Sequence, residues 1–208
     1  MSEYLTDEER LAQLRSWWER HGTALVAGVV LAIVIILGWR WYHGYVEERT
    51  LHASDLYAEF QEADADARGE LANRIIDEGS GTAYPSFVLL QQAAEKVSGG
   101  DAPAAEPLLR RAVELTNAPE LADLARLRLA RVVFDAGRED EALTELGQIR
   151  SAGYLSLAAE LKGDIHLSRG ERNLAHEAYV TAQSHVQSGE QRPLLEMKIA
   201  DTADTSDS

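Results

Sequence analysis

The sequence predicts an all-α protein in which a single transmembrane helix is followed by a right-handed solenoid of helical repeats. Two observations lead to this prediction. Residues 22–39 form a run of eighteen residues without a charge, and three later segments share one spacing of glycine and alanine. The run has the length of a membrane-spanning helix, and a recurring spacing is the signature of stacked repeats.

Composition restricts the partners and the chemistry open to this chain. It has 35 acidic and 20 basic residues, a formal net charge of −15, and no cysteine. We expect no nucleic-acid partner, because the chain has no basic patch with which to neutralise phosphates. The lack of cysteine excludes disulfides, thiolate catalysis and zinc–thiolate sites.

Residues 1–21 form a polar leader before the charge-free run. Its helix-forming residues predict a short amphipathic helix leading into the membrane, although a solvated tail without a partner fits equally well. Lys and Arg near a span favour the cytoplasmic side, and Asp and Glu count for little. The leader carries Arg10, Arg15 and Arg20, against Arg40 and Arg49 beyond the run. We therefore expect a cytoplasmic N-terminus and a translocated C-terminal domain.

The membrane helix is predicted over residues 22–42. Eighteen helical residues cover roughly 27 Å, close to the thickness of a hydrocarbon core. All four tryptophans flank the run, as expected for rings at the two headgroup levels: Trp17, Trp18, Trp39 and Trp41. A cleaved signal peptide would have a shorter apolar core and a small-residue cleavage site, but WRWYHGY follows here. We expect membrane lipid around this helix.

One face of this helix carries small residues four positions apart, Ala24, Gly28 and Ala32. Such a spacing lets a second transmembrane helix approach closely, so these residues are candidates for a helix–helix contact. Ordinary use of alanine and glycine in an apolar span explains the same pattern.

Residues 43–200 are predicted to form one helical-repeat domain. Its repeats align on Gly100, Gly137 and Gly170, each followed five residues later by alanine. These glycines lie 37 and 33 residues apart, which brackets the 34-residue tetratricopeptide period. The aligned segments cover residues 87–114, 124–150 and 158–183. A generic helical bundle with coincidental glycines is the alternative.

Each repeat is expected to consist of two antiparallel helices joined at its glycine, which can adopt a left-handed turn. Small residues at 105, 142 and 175, and at 130 and 163, would permit close contact between the paired helices. Larger residues at 109, 146 and 179 would fill the adjacent space. We expect the pair at 48–78 and a short helix starting near Pro193 to cap the stack. The acidic tail, 201–208, is predicted to be disordered.

We found no pattern that indicates catalysis. The chain contains no GxSxG, P-loop, GxGxxG or HExxH motif, and its histidines are not spaced as a helical metal-ligand pair. We therefore predict no catalytic residues, no metal, no cofactor and no small-molecule substrate, and expect that the protein is not an enzyme.

A solenoid instead offers a concave surface lined by the first helix of each repeat. Apolar residues mixed with a few charges there suit a protein or peptide ligand. Several of these side chains could equally form core between stacked helices, and we expect about half of them to be exposed, judging from repeat geometry. The predicted groove residues are Phe87, Leu90, Val97, Leu124, Leu127, Arg131, Phe134, Glu160, Asp164 and Leu167.

Four short motifs make the chain resemble the YfgM family of ancillary Sec translocon subunits. They are GWRWY (38–42), LRLARV (127–132), LKGDIHLSRG (161–170) and LLEMKI (194–199). The resemblance implies a single-pass protein of the bacterial inner membrane with a tetratricopeptide-like domain in the periplasm. It also implies binding to the SecYEG translocon, to PpiD and to other periplasmic chaperones, so that secreted proteins pass to the chaperones. The alternative is a membrane-tethered regulator that sequesters an envelope-stress response regulator.

Overall fold

A computed structural model describes residues 7–186 and 191–203. Regular structure in these residues is entirely α-helical, which confirms the predicted fold class, and the chain divides after Glu48 into two compact units. The helices are α1 (Asp7–Glu62), α2 (Ala65–Glu78), α3 (Tyr84–Ser98), α4 (Ala102–Leu115), α5 (Pro119–Asp135), α6 (Glu139–Leu146), α7 (Ala152–Ser168), α8 (Arg172–Ser184) and α9 (Pro193–Thr202).

The first unit is helical from Asp7 to its end at Glu48. Its large apolar side chains between Leu25 and Leu37 are 45–61% exposed. A continuous apolar surface of this length is unfavourable in water. Within the described residues, this is the one helix long and apolar enough to cross a membrane. The predicted limits of leader and span, 1–21 and 22–42, stay predictions because α1 runs through both boundaries without a break. Residues 1–6 of the leader lie outside the described residues.

The second unit contains three helical hairpins. We call them the first repeat (α3–α4), the second repeat (α5–α6) and the third repeat (α7–α8). One hydrophobic cluster extends from Leu56 near the end of α1 to Ile165 in α7. A smaller cluster joins Ala159 and Tyr179 of the third repeat to Leu195 of α9. The burial is shared between neighbours, as expected when a single hairpin cannot cover its own apolar face.

The turns of the three hairpins are built alike. Gly100, Gly137 and Gly170 have φ values of 81°, 78° and 75°, a region that side chains disfavour. The residue after each glycine donates its N–H to a carbonyl five residues earlier, at 2.9–3.0 Å. This arrangement is a Schellman motif, so the predicted left-handed turns are confirmed.

The predicted contact positions of the repeats are all buried. The alanines at 105, 142 and 175 are 0% exposed, and the larger residues four positions later, at 109, 146 and 179, are at most 1% exposed. The positions on the facing helices, Ala130 and Gly163, are also buried. The repeat spacing therefore located the inside of each hairpin correctly.

Both ends of the stack are covered. Phe60 of α1 and Ile75 of α2 are fully buried in the same cluster as Val88 of α3. The Asp64 carboxylate accepts a hydrogen bond from the Ala67 N–H (3.0 Å) and caps α2, as Asp commonly does. At the other end, Leu195 of α9 is 1% exposed. α9 includes residues 201 and 202, the first two of the predicted tail, and residues 204–208 lie outside the described residues.

Candidate protein-binding groove

Two open clefts lie between the first helices of successive repeats. The first cleft, of 270 Å³, separates α3 from α5 and is lined by apolar side chains that include Val97 and Val132. The second cleft, of 360 Å³, separates α5 from α7 and is lined by residues that include Leu127, Leu157 and Glu160. Both clefts are also lined by Arg128 and Arg131 of α5. We call the two clefts together the groove.

The predicted groove residues do not all lie at these clefts. Val97, Leu127, Arg131 and Glu160 line one or both of them. The half-buried residues Leu124, Phe134, Asp164 and Leu167 and the exposed Phe87 lie outside both, and Leu90 is 4% exposed in the main cluster. The structure thus brings together part of the predicted set, and the assignment of a partner to it stays a prediction.

Leu90 and Phe134 show how a first-helix residue can be drawn into the core. The Leu90 side chain packs in the main cluster, while its carbonyl accepts a hydrogen bond from Arg128 Nη1 (3.4 Å). Val133 is fully buried, and the adjacent Phe134 packs against the same cluster and is half-buried. Phe134→Ala should therefore cost more stability than the loss of an exposed ring.

Phe87 belongs to an aromatic cluster at the start of α3. Its ring centroid lies 6.2 Å from that of Tyr57 and 6.1 Å from that of Tyr84, and the two tyrosine rings are 5.5 Å apart. Phe87 is 40% exposed. These separations fit favourable aromatic pairing, so the cluster connects α1 to α3 and leaves part of Phe87 at the surface.

Glu160 and Asp164 bind cations of the same chain. Lys198 Nζ of α9 lies 2.9 Å from Glu160 and 2.6 Å from Asp164, and the Arg192 guanidinium also donates to Glu160. Burial alone lowers the pKa of Lys198, but the hydrogen bonds to the two carboxylates outweigh it and raise the pKa. Both carboxylates are thus satisfied by the C-terminal helix, a pairing across more than thirty residues that the sequence analysis did not predict.

Tyr179 belongs to the same cluster of polar groups. Its hydroxyl donates a hydrogen bond to Asp164 Oδ1 (2.9 Å). Burial, followed by this hydrogen bond to a carboxylate, raises the pKa of Tyr179. The phenol therefore stays neutral and acts as a hydrogen-bond donor that links α8 to α7.

A second feature that the sequence analysis missed is one polar position shared by the first helices. Ser86, Asp123 and Ser156 are separated by the same 37 and 33 residues as the turn glycines, and all three are buried. The Ser86 hydroxyl donates to the Ala112 carbonyl (3.0 Å), and the Ser156 hydroxyl accepts from Arg192 (2.8 Å). Aligning the repeats from their first helices would have revealed this position.

Asp123 makes the strongest set of contacts at this position. Its Oδ2 accepts hydrogen bonds from the N–H groups of Arg150 and Ser151 (2.9 and 2.8 Å) and from the Ser151 hydroxyl (2.7 Å). Burial alone raises the pKa of Asp123, but these hydrogen bonds outweigh it and lower the pKa. Since Ser151 immediately precedes α7, Asp123 ties the second repeat to the start of the third.

The structure adds little to the other site predictions. Across residues 7–186 and 191–203, no group of three or more His, Cys, Asp or Glu residues is placed to hold a metal ion. Gly28 and Ala32 are exposed, and a Cβ added at Gly28 would meet no atom within 4 Å. The Ala24 side chain lies outside the described residues. The contact proposed for this stripe stays a prediction.

Comparison with known proteins extends over nearly the whole chain. Residues 15–204 match the family described as tetratricopeptide repeat-like domain. A Haemophilus influenzae protein is 29% identical over 203 residues, which cover 96% of this chain and 97% of the relative. Proteins of Aggregatibacter actinomycetemcomitans and Escherichia coli K12 are 28% and 24% identical, over 96% of this chain and 98% of each relative. Each relative is named an ancillary SecYEG translocon subunit.

Proposed function

Because this chain belongs to the tetratricopeptide repeat-like family, in agreement with its resemblance to the YfgM family, we propose that it is an ancillary subunit of the Sec translocon. It acts as a non-catalytic scaffold in the bacterial inner membrane. The observation that carries this proposal is the extent of the similarity, which covers 96% of the chain and so includes the apolar helix as well as the repeats.

We assign membrane anchoring to the first unit and chaperone binding to the second. The apolar helix has the length and exposed apolar surface of a membrane anchor, and we assign contact with the translocon to this helix. The groove of the repeat domain offers a separate surface for periplasmic chaperones, PpiD among them. Held next to an emerging polypeptide, such a scaffold raises the local concentration of chaperones without any chemical step.

Co-purification tests the proposal directly. The full-length chain, extracted from membranes in a mild detergent, is expected to bring SecYEG and PpiD with it. Gly28→Leu should weaken recovery of SecYEG, because the larger side chain holds a neighbouring helix away, whereas Val29→Leu on another face should not. Recovery of neither partner by the wild-type chain would refute the proposal. Equal recovery by both variants would assign binding to the repeat domain.

Orientation is proposed from the arginine bias alone, with the N-terminus in the cytoplasm. The chain has no cysteine, so single cysteines at Ser2 and Ser208 report location without background. With the outer membrane permeabilised, an impermeant thiol reagent is expected to label only position 208. Labelling of position 2 alone would reverse the orientation and remove the repeat domain from the periplasm.

The alternative, sequestration of an envelope-stress response regulator, assigns binding to the cytoplasmic leader. Deleting residues 2–9 leaves in place the flanking tryptophans and the arginines on which the orientation depends, Arg10, Arg15 and Arg20. The scaffold proposal expects this deletion to leave SecYEG and PpiD recovery unchanged, whereas the regulator alternative expects release of a soluble signalling protein.

A further inference from the structure

The centre of the groove is positively charged in an otherwise acidic protein. The charged residues lining the first cleft are Arg128 and Arg131. The second cleft adds Glu160 and Arg192, which bind each other. The groove therefore presents two arginines from adjacent positions on one face of α5, in a chain whose formal net charge is −15.

These two arginines are weakly engaged by the protein itself. Arg128 donates one long hydrogen bond, to the Leu90 carbonyl at 3.4 Å, and Arg131 lies 3.8 Å from Asp164 with 53% of its side chain exposed. By contrast, Arg169 binds Glu139 at 2.7 Å and Asp140 at 2.8 Å. A guanidinium has five N–H donors in a planar fork that matches a carboxylate. Arg128 and Arg131 line the groove, and most of their donors therefore have no acceptor among the described residues.

Apolar walls lie on both sides of the arginine pair. On one side are Ala94, Val97 and Val132, and on the other are Leu127, Leu157 and Leu161. Since the two clefts share the arginines, a chain bound there continues past them in both directions. That geometry suits an internal acidic side chain and not a terminal carboxylate, after which no chain would follow to fill the second cleft.

We propose that the groove binds an extended polypeptide segment in which an aspartate or glutamate is flanked on both sides by apolar residues. The carboxylate accepts hydrogen bonds from Arg128 and Arg131, and the flanking side chains enter the two clefts. This inference rests on the proposed scaffold function and specifies the ligand of its groove. Charge-assisted hydrogen bonds supply the selectivity, and the apolar walls supply contact area that tolerates varied sequences.

The test uses the full-length chain in lipid nanodiscs and a labelled, doubly capped peptide, Ser-Gly-Val-Leu-Glu-Leu-Ala-Gly-Ser. Combining Arg128→Gln with Arg131→Gln should weaken binding roughly tenfold, the effect of losing charge-assisted hydrogen bonds at a partly exposed site. Replacing the central Glu of the peptide by Gln should cost the wild-type chain a similar factor. Arg111→Gln, at an exposed arginine of α4 outside both clefts, makes the same change in net charge as either groove substitution alone and should leave binding unchanged.

Reversing the charge of the two arginines should create a new binding preference, which a misfolded variant would not show. The variant with Arg128→Glu and Arg131→Glu should bind the peptide carrying a central Lys at least tenfold more tightly than the Glu peptide. The proposal is overturned if the Glu and Gln peptides bind the wild type equally, or if Arg111→Gln weakens binding as much as the groove variant. It is also overturned if an uncapped Gln peptide binds best through the same arginines, which would indicate a terminal carboxylate. Recovery of SecYEG without peptide binding would refute this inference and leave the scaffold function standing.

Discussion

The second and third repeats have the same layout, but they place different residues at one pair of equivalent buried positions, one on each helix. In the second repeat these positions hold Ala130 and Leu146, and in the third they hold Gly163 and Tyr179. All four residues are buried. Compared with the second repeat, the third repeat therefore lacks a methyl group on one helix and has a tyrosine ring in place of a leucine side chain on the other.

The tyrosine ring fits in the third repeat only because the facing residue is glycine. A Cβ added to Gly163 would lie 2.3 Å from Tyr179 Cε1 and 2.4 Å from Cδ1, far inside van der Waals contact. The ring extends the contact further, because the Tyr179 hydroxyl reaches Asp164 and Lys198 Nζ lies 5.5 Å from the ring centroid. The larger residue therefore connects the third repeat to α9, a connection that leucine in the second repeat does not make.

The largest effect is expected from Gly163→Ala. The methyl group must displace a fully buried ring, and overpacking of this kind costs about 3 kcal/mol, the upper part of the usual range. Urea denaturation of the full-length chain in detergent, followed by circular dichroism, measures the free energy of unfolding. A loss below about 1 kcal/mol would mean that the ring moves aside freely.

A compensating variant shows whether the ring is the cause. Tyr179→Leu alone removes packing and a hydrogen bond, so it should also destabilise the protein. Combined with Gly163→Ala, however, it recreates the Ala–Leu pair of the second repeat. The double variant should be clearly more stable than the sum of the two single losses predicts, as expected for residues in contact. Simple additivity would contradict the explanation.

The next effect concerns the junction between the two repeats. Asp123→Asn should cost about 1–3 kcal/mol at pH 7, because the N–H groups of Arg150 and Ser151 lose a buried charged acceptor. Asp135→Asn on the exposed face of the same helix is the matched control. The same denaturation assay applies, and equal losses for the two variants would remove Asp123 from this role.

The pH dependence of this loss has a definite sign. The pKa of Asp123 is lowered in the folded state, so its contribution is complete above the unfolded value of about 3.9 and is lost as the pH falls through the folded value. The difference between wild type and Asp123→Asn should therefore be constant near neutral pH and shrink below about pH 4. A difference that grows on acidification would reverse the assignment.

The turns of the hairpins and the carboxylates of α7 show what the sequence could predict and what it could not. Gly100, Gly137 and Gly170 lie close to each hairpin's own helices, so a fixed spacing was enough to locate the turns and the buried alanines. Glu160 and Asp164 were correctly placed on the first helix of a repeat, but their partners are Lys198 of α9 and Arg192, the residue before α9. No local period relates that helix to α7, since the pairing depends on how the end of the stack is covered.

Exposure along the first helices was difficult to predict for a related reason. Positions 97, 134 and 167 correspond in the repeat, yet Val97 is 47% exposed while Phe134 and Leu167 are half-buried. The side chain at this position meets a different neighbour in each repeat. Repeat geometry fixes the direction of a side chain, but it does not fix what lies in front of it.

The smallest effect is expected from Gly153→Ala, a substitution identical to that at Gly163 and in the same helix. Gly153 is exposed, and a Cβ added there would meet no atom within 4 Å. Alanine restricts the unfolded chain and favours the helix, so stability should rise by about 0.5 kcal/mol, toward the low end for a first-turn position. The denaturation assay used for Gly163→Ala should show opposite signs at the two positions.

If both substitutions stabilised the protein, helix propensity would outweigh the contact with Tyr179, and the pairing of glycine with tyrosine in the third repeat would have no structural cause. If both destabilised it, a general intolerance of α7 would explain the loss at Gly163. Only opposite signs attribute the difference between the second and third repeats to the ring that lies over Gly163.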